Sequence, residues 1–324
     1  MPQFDYPLEA LRGYRPSVRE ENDFDDFWAQ TLEESRALVT APRVEKVDTR
    51  LKLIETHDLT FSGFGGQDIK GWVHRPAGQE GPQPTVIEYL GYTGGRMLPW
   101  QAHTNAEAGY THIIMDTRGQ GWRGGVSDTP DLSEDAGRST VPGMMTKGIR
   151  DPQSYYYRRL YTDAALVVDA ARQLPWVDPD KIALVGKSQG GGLAIAAAGL
   201  SENIAAVSAD VPFLNHFERA LQVTDADPYG EIVRYLAKYR DREEETMKTL
   251  SYFDGVNMAR RSTAPALFAT GLRDQVCPPS TVFASYNAWG SSEKQIAVYP
   301  YNAHEGGDEH HMLRKLDFLR EHLG

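Results

Sequence analysis

Eight residues, Val185-Gly186-Lys187-Ser188-Gln189-Gly190-Gly191-Gly192, constrain this chain more than any other stretch. They join an apolar run, Ile182 to Val185, to a small-residue segment, Leu193 to Leu200. The first reads as a buried strand and the second as a helix. A strand that turns at once into a helix through Gly-x-Ser-x-Gly holds its serine in a tight, strained bend, with the hydroxyl exposed above the sheet edge. Gly186 and Gly190 suit such a bend, because larger side chains would clash where strand and helix pass so closely. The backbone N–H of Gln189, the next residue, is then aimed at the oxyanion of an acyl-transfer intermediate. Ser188 is the candidate nucleophile.

The rest of the chain fits around that bend. Residues 1–22, with Pro2, Pro7, Gly13 and Pro16, read as an extended arm over the body. Asp23 to Leu38 spaces Phe24, Phe27, Trp28, Thr31, Leu32, Ser35 and Leu38 as one face of a helix. From Val44 to Val73 the residues alternate, as in Leu51-Lys52-Leu53-Ile54 and Leu59-Thr60-Phe61, which predicts an antiparallel lead-in. Six strands follow, at 85–90, 111–115, 181–185, 204–209, 266–270 and 295–299, with helices at 161–174, 188–200, 281–289 and 308–323. That alternation implies a mostly parallel sheet with helices on its faces. Phe213 to Asn257 is too long for a connection and carries its own helical patterns, so it reads as an insertion over the mouth of the site. The expectation is one α/β domain over residues 1–324, with 1–80 as arm, helix and lead-in, and 213–257 as a helical insertion.

A serine hydroxyl needs a base within hydrogen-bond reach, and the base needs a carboxylate to hold its tautomer. After an elbow of this kind the partners arrive in chain order Ser, then Asp or Glu, then His. Asp274 follows the strand 266–270, and His304 follows the strand 295–299. Of nine histidines, His57, His74, His103 and His112 precede the serine. His310, His311 and His322 fall on the terminal helix, where a solvated face is expected. His216 precedes Asp274, inside the insertion. Asp210 is the rival acid, because it also ends a strand. The loop Tyr89-Leu90-Gly91-Tyr92-Thr93-Gly94-Gly95 occupies the position of the second oxyanion donor, for which the Tyr92 N–H is the candidate. Arg118, in Asp116-Thr117-Arg118-Gly119-Gln120, has a fork of donors suited to clamping carboxylates and carbonyls beneath the site. The stretch from Trp122 to Tyr157 is a long excursion that borders either the pocket or an interface.

The net charge of −11, with acidic residues spread along the chain and no basic tract, argues against nucleic acid or an anionic membrane as partner. One cysteine, Cys277, leaves no intramolecular disulfide, and no Cys/His cluster has zinc spacing. No secretory leader and no transmembrane run is visible, so a cytoplasmic protein is expected. The chemistry needs no metal and no organic cofactor.

Arg118-Gly119-Gln120, Gly186-x-Ser188-Gln189-Gly190 and His304-Glu305 together resemble the three signature motifs of carbohydrate esterase family 7, the acetyl xylan esterase and cephalosporin C deacetylase group. The likeness extends through Gly91 to Arg96, Met115 to Arg118 and Val276 to Thr281. It implies an α/β-hydrolase fold, a Ser188-Asp274-His304 triad, and an oxyanion hole from the N–H groups of Tyr92 and Gln189. It also implies removal of acetyl groups from short acetylated xylooligosaccharides, small acetyl esters and cephalosporin C, by an intracellular homohexamer. Leu90 stands where many members have His, with a changed pocket wall as the expected consequence. Trp122 is a second local difference. Alternative readings are a longer-chain carboxylesterase or serine peptidase on the same fold, or a binding protein that has lost its chemistry.

Overall fold

The computed structural model describes residues 3–132 and 143–324; residues 133–142 of the excursion from Trp122 to Tyr157 lie outside the described residues. One nine-stranded sheet is made of β1 (Arg43–Val47), β2 (Ile54–Ser62), β3 (Asp68–Pro76), β4 (Gln83–Tyr89), β5 (Thr111–Met115), β6 (Val177–Lys187), β7 (Ala206–Asp210), β8 (Ala266–Gly271) and β9 (Lys294–Tyr299), in the spatial order β1-β2-β3-β5-β4-β6-β7-β8-β9. The first three strands and the β3–β5 pair are antiparallel, and all pairs from β5 to β9 are parallel. Every residue of β5, β7 and β8 is buried, as expected of parallel strands covered on both faces.

Neighbouring residues of these strands face different cores. Val86, Ala183, Ala206 and Leu267 point one way, into a cluster closed by Phe318, Leu319 and Leu323. Ile87, Leu184, Val207 and Phe268 point the other way, into the larger core. The helices are α1 (Leu8–Arg12), α2 (Phe24–Arg36), α3 (Thr104–Glu107), α4 (Tyr156–Ala171), α5 (Gln189–Leu200), α6 (Phe217–Val223), α7 (Tyr229–Lys238), α8 (Glu243–Ser251), α9 (Gly255–Ala259), α10 (Pro279–Ala288) and α11 (Asp308–Leu323). Helix α11 seals the smaller cluster, whereas α4 and α5 lie within the larger one. Ten consecutive residues of α5, Gln189 to Ala198, are buried, which is why that segment is small and apolar all round.

Local pattern and fold part company in four places. Leu51 and Leu53 alternate like strand residues but are exposed, 43% and 82%. The β1–β2 pairing closes at Val47 opposite Thr56, and the chain turns through Arg50 at φ 62°, so neither leucine has a sheet face to pack on. Helix α4 begins at Tyr156 rather than Tyr161. Its first turn is buried with the rest of it, so no polar face marks the start. The arm at 3–22 is not wholly extended: α1 buries Leu11 against Leu272 and Phe283, and Asp5 accepts from the Ser280 N–H at 2.7 Å. His311, expected on a solvated helix face, is buried between Asp210 and Tyr299, because α11 turns that face toward the sheet edge.

Candidate active site

Strands β4 and β6 lie side by side where the chain, having gone outward from β4 to β5, returns to the other flank of β4. A crevice outside the carboxyl ends of strands at such a switch point is the usual ligand site of an open α/β sheet. Ser188 follows β6 there with φ 58° and ψ −122°. A non-glycine residue in that region stores roughly 1–3 kcal/mol of strain. Three main-chain bonds hold it: the Ser188 N–H donates to Asp210 O (2.9 Å), and its carbonyl accepts from Phe213 (2.9 Å) and Gly192 (3.1 Å). The glycines are sterically required. A Cβ on Gly186 would lie 2.2 Å from the Gly190 carbonyl carbon, and one on Gly190 would lie 2.0 Å from Tyr89 O.

The loops after β8 and β9 bring the other partners. His304 Nε2 lies 3.0 Å from Ser188 Oγ, and His304 Nδ1 lies 2.9 Å from Asp274 Oδ2. With the carboxylate as acceptor, Nδ1 carries the ring proton and Nε2 accepts from the serine hydroxyl. Asp274 is fully buried, and its other oxygen accepts from the N–H groups of Val276 (2.8 Å) and Cys277 (2.9 Å), so both oxygens have fixed directions. The His304 loop is pinned by Glu305, whose carboxylate accepts from the Ala303 N–H and the Asn302 amide at 3.1 Å, while its carbonyl accepts from Lys187 Nζ at 3.1 Å.

Asp210 does not approach His304. Its carboxylate takes His311 Nε2 at 3.0 Å and Lys315 Nζ at 2.5 Å. Burial raises the Asp210 carboxyl, but Lys315 and His311 outweigh that and hold it below the usual carboxylate range. His216 is also elsewhere, with Nε2 3.0 Å from the Tyr14 hydroxyl.

The loop after β4 runs alongside the serine: a Cβ on Gly91 would lie 4.0 Å from Ser188 Cβ. Gln189 opens α5, so its N–H has no partner inside the helix. Between this loop and the elbow lies the fully buried side chain of Gln120. Its Oε1 accepts from the Thr93 N–H at 2.8 Å, and its Nε2 donates to Gln189 Oε1 at 2.9 Å and to the Tyr156 hydroxyl at 3.1 Å. Gln189 Nε2 in turn donates to Leu90 O at 3.3 Å. One carboxamide thus fixes the spacing of the two backbone segments that flank Ser188. Arg118 lies deeper, donating through Nε and Nη2 to Asp163 (2.5 and 2.7 Å) and through Nη1 to Gln67 (3.0 Å). Its carbonyl accepts from the Tyr156 hydroxyl, so the clamp and Gln120 share a partner. Gly119, between them, sits at φ 66°, where a Cβ would lie 2.9 Å from Asp131 Cβ.

Leu90 is buried. It packs with Trp72 and Ile114 in a small separate cluster. Trp122 stands edge-on to the Tyr92 ring, with centroids 5.5 Å apart. Two further contacts have no local signal in the sequence. Glu231, on α7, accepts from the Tyr92 hydroxyl at 2.8 Å and from the Met145 N–H at 3.2 Å, tying the 213–257 stretch to the loop after β4. Burial raises the Glu231 carboxyl, against the hydrogen bonds that favour its ionised form. Cys277 is buried against Ser188, and burial followed by the Asp274 charge pushes its thiol well up. Donor atoms of Asp274, Cys277 and His304 lie within 4.8 Å of one another. That set could hold a cation, but the Asp274–His304 contact and the neutral thiol suit a proton relay to a serine better.

Comparison with known proteins follows the same lines. The family model described as acetyl xylan esterase (AXE1) matches residues 1–322. The solved acetyl xylan esterase from Paenibacillus sp. R4 is 38% identical, with a TM-score of 0.91, covering 98% of this chain and 100% of that one. Acetyl xylan esterase 1 from a Thermoanaerobacterium species is 32% identical, with a TM-score of 0.90, covering 99% of this chain and 100% of that one. Acetyl esterase Axe7A of Xylanibacter ruminicola is 27% identical over 301 residues, which cover 90% of this chain and 65% of that protein's length. The sheet and its flanking helices are those of the α/β-hydrolase fold.

Proposed function

Because the chain belongs to the acetyl xylan esterase family, we propose that it is a serine esterase that removes acetyl groups from short acetylated xylooligosaccharides and other small acetyl esters. The observation that carries the reading is the hydrogen-bonded line from Ser188 Oγ through His304 to Asp274, at 3.0 and 2.9 Å, with the serine held in a strained elbow.

Ser188 Oγ attacks the acetyl carbonyl carbon as its proton passes to His304 Nε2. Asp274 holds the ring and stabilises the imidazolium that forms. The N–H groups of Tyr92 and Gln189 receive the carbonyl oxygen as it gains charge, worth about 10²–10³ in rate per donor. The C–O bond to the sugar then breaks, and the alcohol leaves with the proton from Nε2. A water molecule gives a proton to the same nitrogen as its oxygen attacks the acetyl-enzyme, and acetate departs as Ser188 regains its proton. Apart from that water, these steps use side chains and main-chain amides of this chain.

Deacetylation of cephalosporin C, assembly as a homohexamer and a place in the cytoplasm belong to the same reading, supported by the family likeness. Among the described residues no helix is long and apolar enough to cross a membrane. Acetate release from acetylated xylobiose, measured beside cephalosporin C, butyryl and octanoyl esters and a peptide anilide, tests the substrate class. A preference for the longer esters or the anilide would replace it. Ser188→Ala should abolish turnover and stay folded, and retained turnover would end the proposal.

A further inference from the structure

We infer that the hollow beside His304 is the subsite for the sugar that bears the acetyl group, with the Tyr301 ring as its stacking platform. The inference rests on the esterase reading above and names where the alcohol half of the substrate lies. In that reaction the leaving oxygen must be close to His304 Nε2 to receive its proton. The sugar attached to that oxygen must therefore lie against the loops that surround the imidazole.

Those loops form a hollow of about 350 Å³ with His304 in its wall, and Arg273, Gln275, Val276, Tyr301 and Glu305 around it. The volume falls within the range of about 300–1,000 Å³ usual for small-molecule sites. Tyr301 is 82% exposed, a large aromatic ring left in water three residues from the imidazole. Tyr rings are enriched at binding surfaces, where one end of the side chain is apolar and the other wet. The loop that carries it is held in place by two N–H groups of the loop after β8 and by its own cap. The Leu272 N–H donates to Tyr299 O and the Arg273 N–H to Asn302 O, both at 3.0 Å, while Glu305 accepts from Asn302 and Ala303. The ring is thus presented from a braced frame.

The chemistry of the wall matches a pyranose. Such a sugar has two flat C–H faces and a rim of hydroxyls, so it needs one aromatic surface and polar groups at the sides. Tyr301 supplies the first, with Arg273, Gln275 and Glu305 as the second. An acyl chain needs neither, so this side is assigned to the alcohol half.

The test compares Tyr301→Ala and Tyr301→Phe with the parent enzyme on acetylated xylobiose and on ethyl acetate, whose alcohol is too short to span the ring. Sedimentation of each protein is measured in parallel. Tyr301→Ala should lose about tenfold more kcat/KM on the saccharide than on ethyl acetate, chiefly through KM, and Tyr301→Phe should recover most of it. Equal effects on both esters, no effect on the saccharide, or a change of oligomeric state with the Ala variant would overturn the assignment. The last would mean that a second copy of the chain covers the ring. A parent enzyme that releases no acetate from acetylated xylobiose would sink the substrate reading and the subsite together. A parent that does, with an unchanged Ala variant, would sink the subsite alone.

Discussion

Replacing Gln120 by Met tests whether the oxyanion loop is positioned or merely adjacent. Met has similar length and volume, so the buried site is not emptied. What disappears is the carboxamide: the acceptor at 2.8 Å from the Thr93 N–H, and the donor to Gln189 Oε1 and the Tyr156 hydroxyl. Gln189 Oε1 keeps the Tyr157 hydroxyl at 3.0 Å, and Tyr156 still donates to the Arg118 carbonyl at 2.6 Å. Thr93 loses its acceptor outright. An unmade bond to a buried group costs about 1–3 kcal/mol and a lost but compensated one about 0.5–1.5 kcal/mol, so the variant should be destabilised by roughly 2–6 kcal/mol. Domains are stable by about 5–15 kcal/mol, which leaves a folded protein to assay. Thr93 follows Tyr92 directly, so freeing its N–H loosens the donor next to it. Complete loss of one oxyanion donor reduces kcat by about 10²–10³. Partial misplacement should therefore reduce kcat by about 10- to 100-fold, with KM changed far less, because the donor acts on the transition state. Initial rates of acetate release and urea unfolding on the same preparation measure both numbers. A kcat within twofold of the parent, alongside the stability loss, would show that Gln120 holds the core and does not position the donor.

Two other outcomes are expected. Asp274→Asn should reduce kcat by about 10⁴, the effect of losing the carboxylate that holds the ring tautomer, whereas Asp210→Asn should keep most of its activity at the expense of stability, since Asp210 serves His311 and Lys315; the reverse order would make Asp210 the acid. His74 is buried beside His112 and His103, and burial pushes it down to about 2. Its folded-state pKa lies below the unfolded value of about 6.5, so its contribution is present above pH 6.5 and is lost as pH falls below it, by about 2 kcal/mol at pH 5. His216, pushed down to about 4 by burial, adds to that loss, while Asp254, pushed up to about 6, opposes it between pH 6 and 3.8. Urea unfolding at pH 8 and pH 5 should therefore show a smaller drop for His74→Gln than for the parent, and equal drops would refute the account.

Some of this was legible in the residue order and some was not, for reasons that differ by residue. Strand β5 and helix α11 begin and end where their patterns do, the first as a short β-rich run between Gly109-Tyr110 and Asp116, the second as a helical pattern opened after Gly306-Gly307. Helix α4 has no such boundary, as buried tyrosines at 155–157 remove the polar face that would mark it. Asp274 and His304 could be put forward because each follows a strand, although Asp210 met the same test as an acid. Glu231 and Cys277 could not, because nothing in a helix's polar face or a lone thiol says which distant loop it will meet. His311 was misread for the same reason: its neighbours on α11 are charged, and only the packing shows that this helix turns His311 and Lys315 inward to Asp210.

The amino-acid order alone determined the elbow, the alternation of strand and helix, and the positions of loops that could carry an acid and a base. Those are short-range properties, set by backbone sterics at glycine and by side-chain period. Only the tertiary structure decided that His304 lies beside Asp274 and not Asp210, that Gln120 bridges the loop after β4 to the elbow, and that Tyr301 stands in water at the wall of the site. Each depends on the strand order β4-β6-β7-β8-β9 and on which carboxylate the last helix covers. Contacts among loops so far apart in the chain follow from how the sheet stacks, which no local pattern encodes.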